Sequence, residues 1–195
     1  MRDVGSADAA VRAEIPAAAL VVKDFVNSAD LAAGTESLTS PATLVDWLHD
    51  HGLARRAPEL SRADLEQVAA VREGLRQLLL VNAGHTPDHD VLARFNAALA
   101  STSLVAQFDA DGRRALLPVE HRPAATVVAE LLDIVDRARS DDTWGRLKVC
   151  ARDECRWAYY DASRNRSGRW CSMIDCGNRV KMKRAYAARS GRTAT

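Results

Sequence analysis

CARDECRWAYYDASRNRSGRWCSMIDCGNR, residues 150–179, contains every cysteine of the 195-residue chain. They fall in the pattern C-x4-C-x15-C-x4-C, as Cys150, Cys155, Cys171 and Cys176. Two close pairs joined by a longer stretch suit a tetrahedral Zn2+. Each pair supplies two thiolates from one turn, and the intervening chain brings the pairs together. Between them, Arg156 to Tyr160 reads as a strand and Asp161 to Gly168 as a turn rich in Asn, Ser and Gly. The chain returns through Arg169 and Trp170, and the second pair opens a helix to about Arg189. The pattern predicts a small treble-clef-like module, a zinc-bound hairpin followed by a helix. Four thiolates leave no open coordination position, so one structural zinc is expected and no catalytic metal. A disulfide framework is the rival. It is disfavoured because the N-terminal residues MRDVGSADAAVRAE lack the basic start and apolar run of an export signal.

Outward from the cysteines the charge changes sign. Residues 144–195 carry 13 Lys or Arg against 4 Asp or Glu, a balance of +9, whereas residues 1–143 carry 14 against 22, a balance of −8. Two compositions in one chain predict two modules, 1–143 and 144–195, with Asp141-Asp142 and Gly145 as the linker. Residues 1–140 are then expected to fold alone. A hydrophobic content of 47% is enough for a real core. No apolar run approaches the roughly 20 residues of a membrane-spanning helix, and a cytoplasmic protein is expected.

The first module reads as mainly helical with one β-hairpin. Ala17 to Val26 is a helix with Val21, Val22, Phe25 and Val26 on one side, and residues 27–40 are a loop. Ser40 caps the next helix, Pro41 suits its first position, Gly52 its end, and Leu44, Trp47 and Leu48 form its stripe. Ser61 opens a longer helix through a capping box, with Leu65, Val68, Val71, Leu75 and Leu78 inside. Val91, Leu92, Phe95 and Leu99 mark another helix. Leu104, Ala106 and Phe108 alternate, D-A-D-G turns the chain, and Ala115, Leu117 and Val119 alternate again, which is a hairpin signal. A last helix after Pro123 buries Val127, Val128, Leu131, Leu132, Val135 and Ala138. Gly74, Gly84 and Gly112 read as isolated punctuation. His49, His51, His85, His89 and His121 all lie in this module and read as solvent-facing or capping residues.

Cys150-x4-Cys155, Tyr160-Asp161-x-Ser163-Arg164-Asn165, Arg169-Trp170-Cys171-Ser172-Met173 and Cys176-Gly177-Asn178-Arg179 together closely resemble the CGNR zinc-finger family. Upstream, Phe25-Val26-Asn27, Trp47-Leu48 and Val71-Arg72-Glu73 are similar to the ABATE domain that accompanies it. The resemblance runs from about residue 18 to 190. It implies a bacterial regulator of transcription responding to stress, with DNA as the partner of the finger. The upstream domain would then sense a small-molecule effector or form a homodimer, and Asn27 and Arg72, polar beside apolar stripes, are candidates to line its pocket.

The residues themselves support a nucleic-acid surface. The turn offers Arg164, Asn165, Arg166 and Arg169, and the final helix offers Asn178, Arg179, Lys181, Lys183 and Arg184. Lys and Arg with short polar side chains grip phosphate oxygens. Met182, Ala185 and Tyr186 are expected to pack that helix onto the zinc hairpin. RNA stays open beside DNA, because exposed aromatics could stack bases. A zinc-stabilised protein-interaction module is the rival of a different class. No Gly-rich phosphate loop, H-E-x-x-H or G-x-S-x-G is present, so no catalytic residues and no enzyme are expected.

Overall fold

The computed structural model describes residues 15–53, 58–112, 114–120 and 122–190, without the side chains of Arg184 and of residues 188–190. His121 and the first 14 residues lie outside the described set.

The described residues are mainly α-helical with three small two-stranded sheets. Helix α1 spans Ala17–Val26 and α2 Pro41–Asp50. The long α3 spans Arg62–Asn82, α4 His89–Ala100 and α5 Pro123–Ser140. Local chemistry sets the starts. Ser40 accepts from the Thr43 N–H while the Thr43 hydroxyl accepts from the Ser40 N–H, and Ser61 and Asp64 exchange bonds in the same way. Both the Ser61 box and Pro41 at the first turn of α2 match expectation. α3 is the central element, burying Leu65, Val68, Val71, Leu75, Leu79 and Leu80. α1, α4 and α5 pack against it.

Gly74 is more than punctuation. A Cβ there would stand 2.1 Å from the Phe95 ring, so the missing side chain lets α4 lie directly on α3. Residues 27–40 hold a minimal antiparallel pair, β1 (Ala29–Asp30) with β2 (Thr35–Glu36), where a plain loop was expected.

The expected hairpin is present as β3 (Leu104–Phe108) and β4 (Arg114–Pro118), with Val105 opposite Leu117 and Ala106 opposite Leu116. It adheres to α5, where Asp133 accepts the Leu116 N–H and Arg114 pairs with Asp133 and Asp136. Its alternation does not mark a buried face: Phe108 is 70% exposed and Val119 58%.

Past α5 the polypeptide turns through Trp144–Arg146 into β5 (Leu147–Val149), which pairs with β6 (Ala158–Tyr160). Hydrophobic packing crosses the expected boundary at 143/144, because Leu147, Val149 and Ala158 belong to the same buried cluster as the helices. The expected linker is a fastened corner. Asn82 donates to the carbonyls of Trp144 and Leu147, and the buried Thr143 hydroxyl donates to Ala138. No described helix is long and apolar enough to cross a membrane.

Candidate metal centre and its basic surface

β5 and β6 bracket the first cysteine pair. Cys150 directly follows β5, its N–H donates to Trp157, and Cys155 closes the turn with its N–H on Arg152. The partner of β6 is therefore the segment before Cys150, not the returning Arg169-Trp170 strand. That return is tied by one bond, from the Ala151 N–H to the Arg169 carbonyl. In the second pair, Cys171 precedes and Cys176 lies within a wide helical turn, Met173–Gly177, that runs into α6 (Asn178–Ser190). Ser172 caps the turn by accepting from the Asp175 N–H. Gly177 lies close to its neighbours, since a Cβ would stand 2.9 Å from the Met173 sulfur and 3.2 Å from Trp170.

The four sulfurs all lie within 4.8 Å of one another. Cys155–Cys171 is 3.8 Å, Cys171–Cys176 3.6 Å and Cys176–Cys155 3.7 Å. Zinc–sulfur bonds of about 2.3 Å at tetrahedral angles give edges of about 3.8 Å, whereas a disulfide needs about 2.05 Å. The geometry fits one zinc and excludes two disulfides. Protonation shows the same need for a cation. Contact with Cys150 and Cys171 pulls the Cys155 thiol well down, and contact with Cys150 and Cys155 pushes Cys171 well up. Burial first, then neighbouring sulfur charge, pushes Cys176 up to about 11. Four sulfurs packed this closely, three of them on buried cysteines, cannot all ionise unless a metal compensates them. Trp157 and Trp170 pack against this cluster.

Arg152 is a neighbour that sequence reasoning missed. Its contact with Cys155, followed by the charges of Cys176, Cys155 and Cys150, raises its pKa against the opposing effect of burial. Its Nε is buried without a hydrogen-bond partner. It offsets part of the negative charge of a zinc–tetrathiolate centre.

The basic turn has its own frame. Buried Asp161 accepts from the Ser163 N–H and hydroxyl and from the Gly168 N–H. It also pairs with buried Lys148 at 2.8 Å. Although burial opposes ionisation, the bonds from Lys148, Ser163 and Gly168 hold its carboxyl down to about 2. Lys148 also donates to the carbonyls of Arg166 and Gly168, and Tyr159 donates to Gly168 at 2.7 Å. The Asp-x-Ser start of this segment was the sequence signal for such a turn. Gly168 passes so close that a Cβ would sit 2.8 Å from the Asp161 carboxyl.

The structure places Arg164, Asn165, Arg166, Arg169, Asn178, Arg179, Lys181 and Lys183 at exposed positions, while Arg184 lies outside the described side chains. Arg166 is committed internally to Asp142, and Lys183 stands 3.9 Å from Glu154. The expected packing of Met182, Ala185 and Tyr186 onto the hairpin does not occur. Met182 is 73% and Tyr186 75% exposed, and Ala185 is exposed too. Their spacing puts them on one face of α6, and that face points to solvent.

Asn27 and Arg72 are both engaged in internal bonding. The Asn27 amide donates to the Ala158 carbonyl at 2.9 Å and accepts its N–H at 2.7 Å, holding β6 on α1. Arg72 forms a two-point pair with Glu36 and also bonds Ser28 and Glu73. Arg76, one turn on, was not singled out from sequence. It reaches the carbonyls of Val26 and Ala29 and, across to the metal knuckle, that of Arg156. Of the histidines, His49 and His89 are exposed and His85 half-buried. His51 stacks on Trp47 with centroids 4.0 Å apart.

A family model named ABATE, described as "putative stress-induced transcription regulator", matches residues 19–153. The chain belongs to the ABATE family. A second model, the CGNR zinc finger, matches residues 146–189 and covers the four cysteines. This ABATE protein is therefore a zinc-binding member of a transcription-regulator family, with one structural zinc held by Cys150, Cys155, Cys171 and Cys176. The comparison with curated proteins gave no match.

Proposed function

We propose that this ABATE protein is a non-enzymatic bacterial regulator that binds DNA through the basic turn and terminal helix of its zinc module. The carrying observation is α6: none of its described side chains is fully buried, and it sets Asn178, Arg179, Lys181 and Lys183 in solvent beside Arg164, Asn165 and Arg169. A helix that contributes so little to the core has its bases available for phosphates. The helical body (residues 1–143) would supply effector sensing or dimerisation.

Titration of fluorescent duplex DNA with zinc-loaded protein over a series of salt concentrations tests the reading. Four to six phosphate contacts give a log–log salt slope of about −4 to −5. Lys181→Ala should weaken all sequences alike and flatten the slope by about one unit. Absence of binding at low salt would overturn it. A protein-docking role then takes precedence, because Ile174, Met182 and Tyr186 put apolar surface on the same segment, at 83%, 73% and 75% exposure.

A further inference from the structure

Between α6 and the first cysteine turn lies an open groove of about 510 Å³, a size at which clefts accept small ligands. Arg152, Arg169, Arg179 and Lys183 line it, and the half-buried Trp170 forms part of its wall. The Arg169 guanidinium stands 5.6 Å over the Trp170 ring. Two acids also line it, yet Asp153 pairs with Arg156, and Glu154 faces Lys183 at 3.9 Å. Among the described residues no carboxylate pairs with Arg152, Arg169 or Arg179. The groove thus combines net positive charge, an aromatic surface and a half-buried aliphatic side chain, Val180.

We infer that the groove takes an unstacked base of a single-stranded nucleic acid, with the base on Trp170 and its flanking phosphates on Arg169 and Arg179. Aromatic rings stack any base, and cations alongside follow the backbone, which is how single strands are held without sequence readout. A stacked duplex base cannot enter. Duplex DNA would meet the surrounding cations only through its backbone phosphates, leaving the Trp170 ring without a stacked base. The inference rests on the nucleic-acid reading above and adds the form of the ligand and the residues that hold it.

The test uses full-length, zinc-loaded protein with labelled 12-nucleotide oligo(dT), oligo(U) and a duplex of equal length. Both single strands, or whichever sugar the protein prefers, should bind more tightly than the duplex and quench part of the tryptophan emission. Trp170→Phe should keep the affinity and abolish that quench, while Trp170→Leu should weaken binding by about five- to 150-fold. Arg179→Gln should flatten the single-strand salt slope by about 0.7. If the duplex binds and the single strands do not, or if binding leaves the emission unchanged, the groove assignment falls and the duplex reading stands. If no nucleic acid binds, both fall.

Discussion

Replacing Asn27 by alanine isolates the bond set that fixes the metal knuckle to the helices. The amide closes two hydrogen bonds with the backbone of Ala158, at 2.9 and 2.7 Å, and Ala158 is 1% exposed. Without the amide, one buried N–H and one buried C=O lose their partners. Each stranded group costs about 1–3 kcal/mol, with partial relief if water enters, so about 2–4 kcal/mol is expected in total. For a chain of this length that corresponds to a fall in melting temperature of roughly 4–16 °C. Asn27→Asp separates the two bonds, since a carboxylate still accepts from the N–H but repels the carbonyl. It should be at least as destabilising near neutral pH and should recover on acidification. Urea unfolding at fixed zinc gives the free energies. Transfer of zinc to a coloured chelator should also quicken in both variants, because β6 leads directly out of the first cysteine turn. Stability within about 0.5 kcal/mol of the parent, the range of an ordinary surface change, would refute the clamp.

Further outcomes follow from the same contacts. Elemental analysis of reduced protein should find one zinc per chain, and Cys171→Ser should lose it and unfold the knuckle. Gly74→Ala should cost about 1–3 kcal/mol, because its methyl meets the Phe95 ring. Pairing it with Phe95→Leu should recover part of the loss; no recovery would refute the contact. The carboxyl of Asp161 is depressed in the folded state, so its stabilisation is complete above the ordinary value near 3.9 and is lost as pH falls towards 2. Acid unfolding of Asp161→Asn should therefore be flatter across that window than in the parent. A chain ending at residue 140 should expose apolar surface and melt lower than the full protein, because Leu147, Val149 and Ala158 are missing from its core. Equal melting of the two would show that the helices close without them.

What was legible in the sequence was what is decided locally. Ser40, Ser61 and Pro41 announce helix starts because a cap is satisfied within four residues. The cysteine spacing announces a metal because both pairs must meet one ion. Periodicity misled where it had no means of showing a partner: Met182 and Tyr186 share a face of α6, but both are largely exposed. Gly74 read as isolated punctuation because Phe95, which needs the space, arrives from another helix. β5 has only three residues, one of them Lys148, whose burial makes sense only beside an aspartate 13 positions later. Arg76 lies on the same face of α3 as the buried Leu79 and Leu80, and a charge in that stripe was the available sign that it binds something inside. Its targets, the carbonyls of Val26, Ala29 and Arg156, are distant in sequence and invisible to any window.

The fastened corner between α5 and β5 removes any tether between the helical body and the metal-bearing end. Tethered domains search space independently, and linker length sets their reach. Here the heading of α6 is inherited from α1 and α3 through Asn27, Arg76 and Asn82. Extra residues inserted between Thr143 and Leu147 would tear a seam in the core where a linker would simply lengthen. In any pairing of two copies, the gap between their basic surfaces would be a fixed dimension of the helical bodies, set like the span of a pair of calipers locked at one opening.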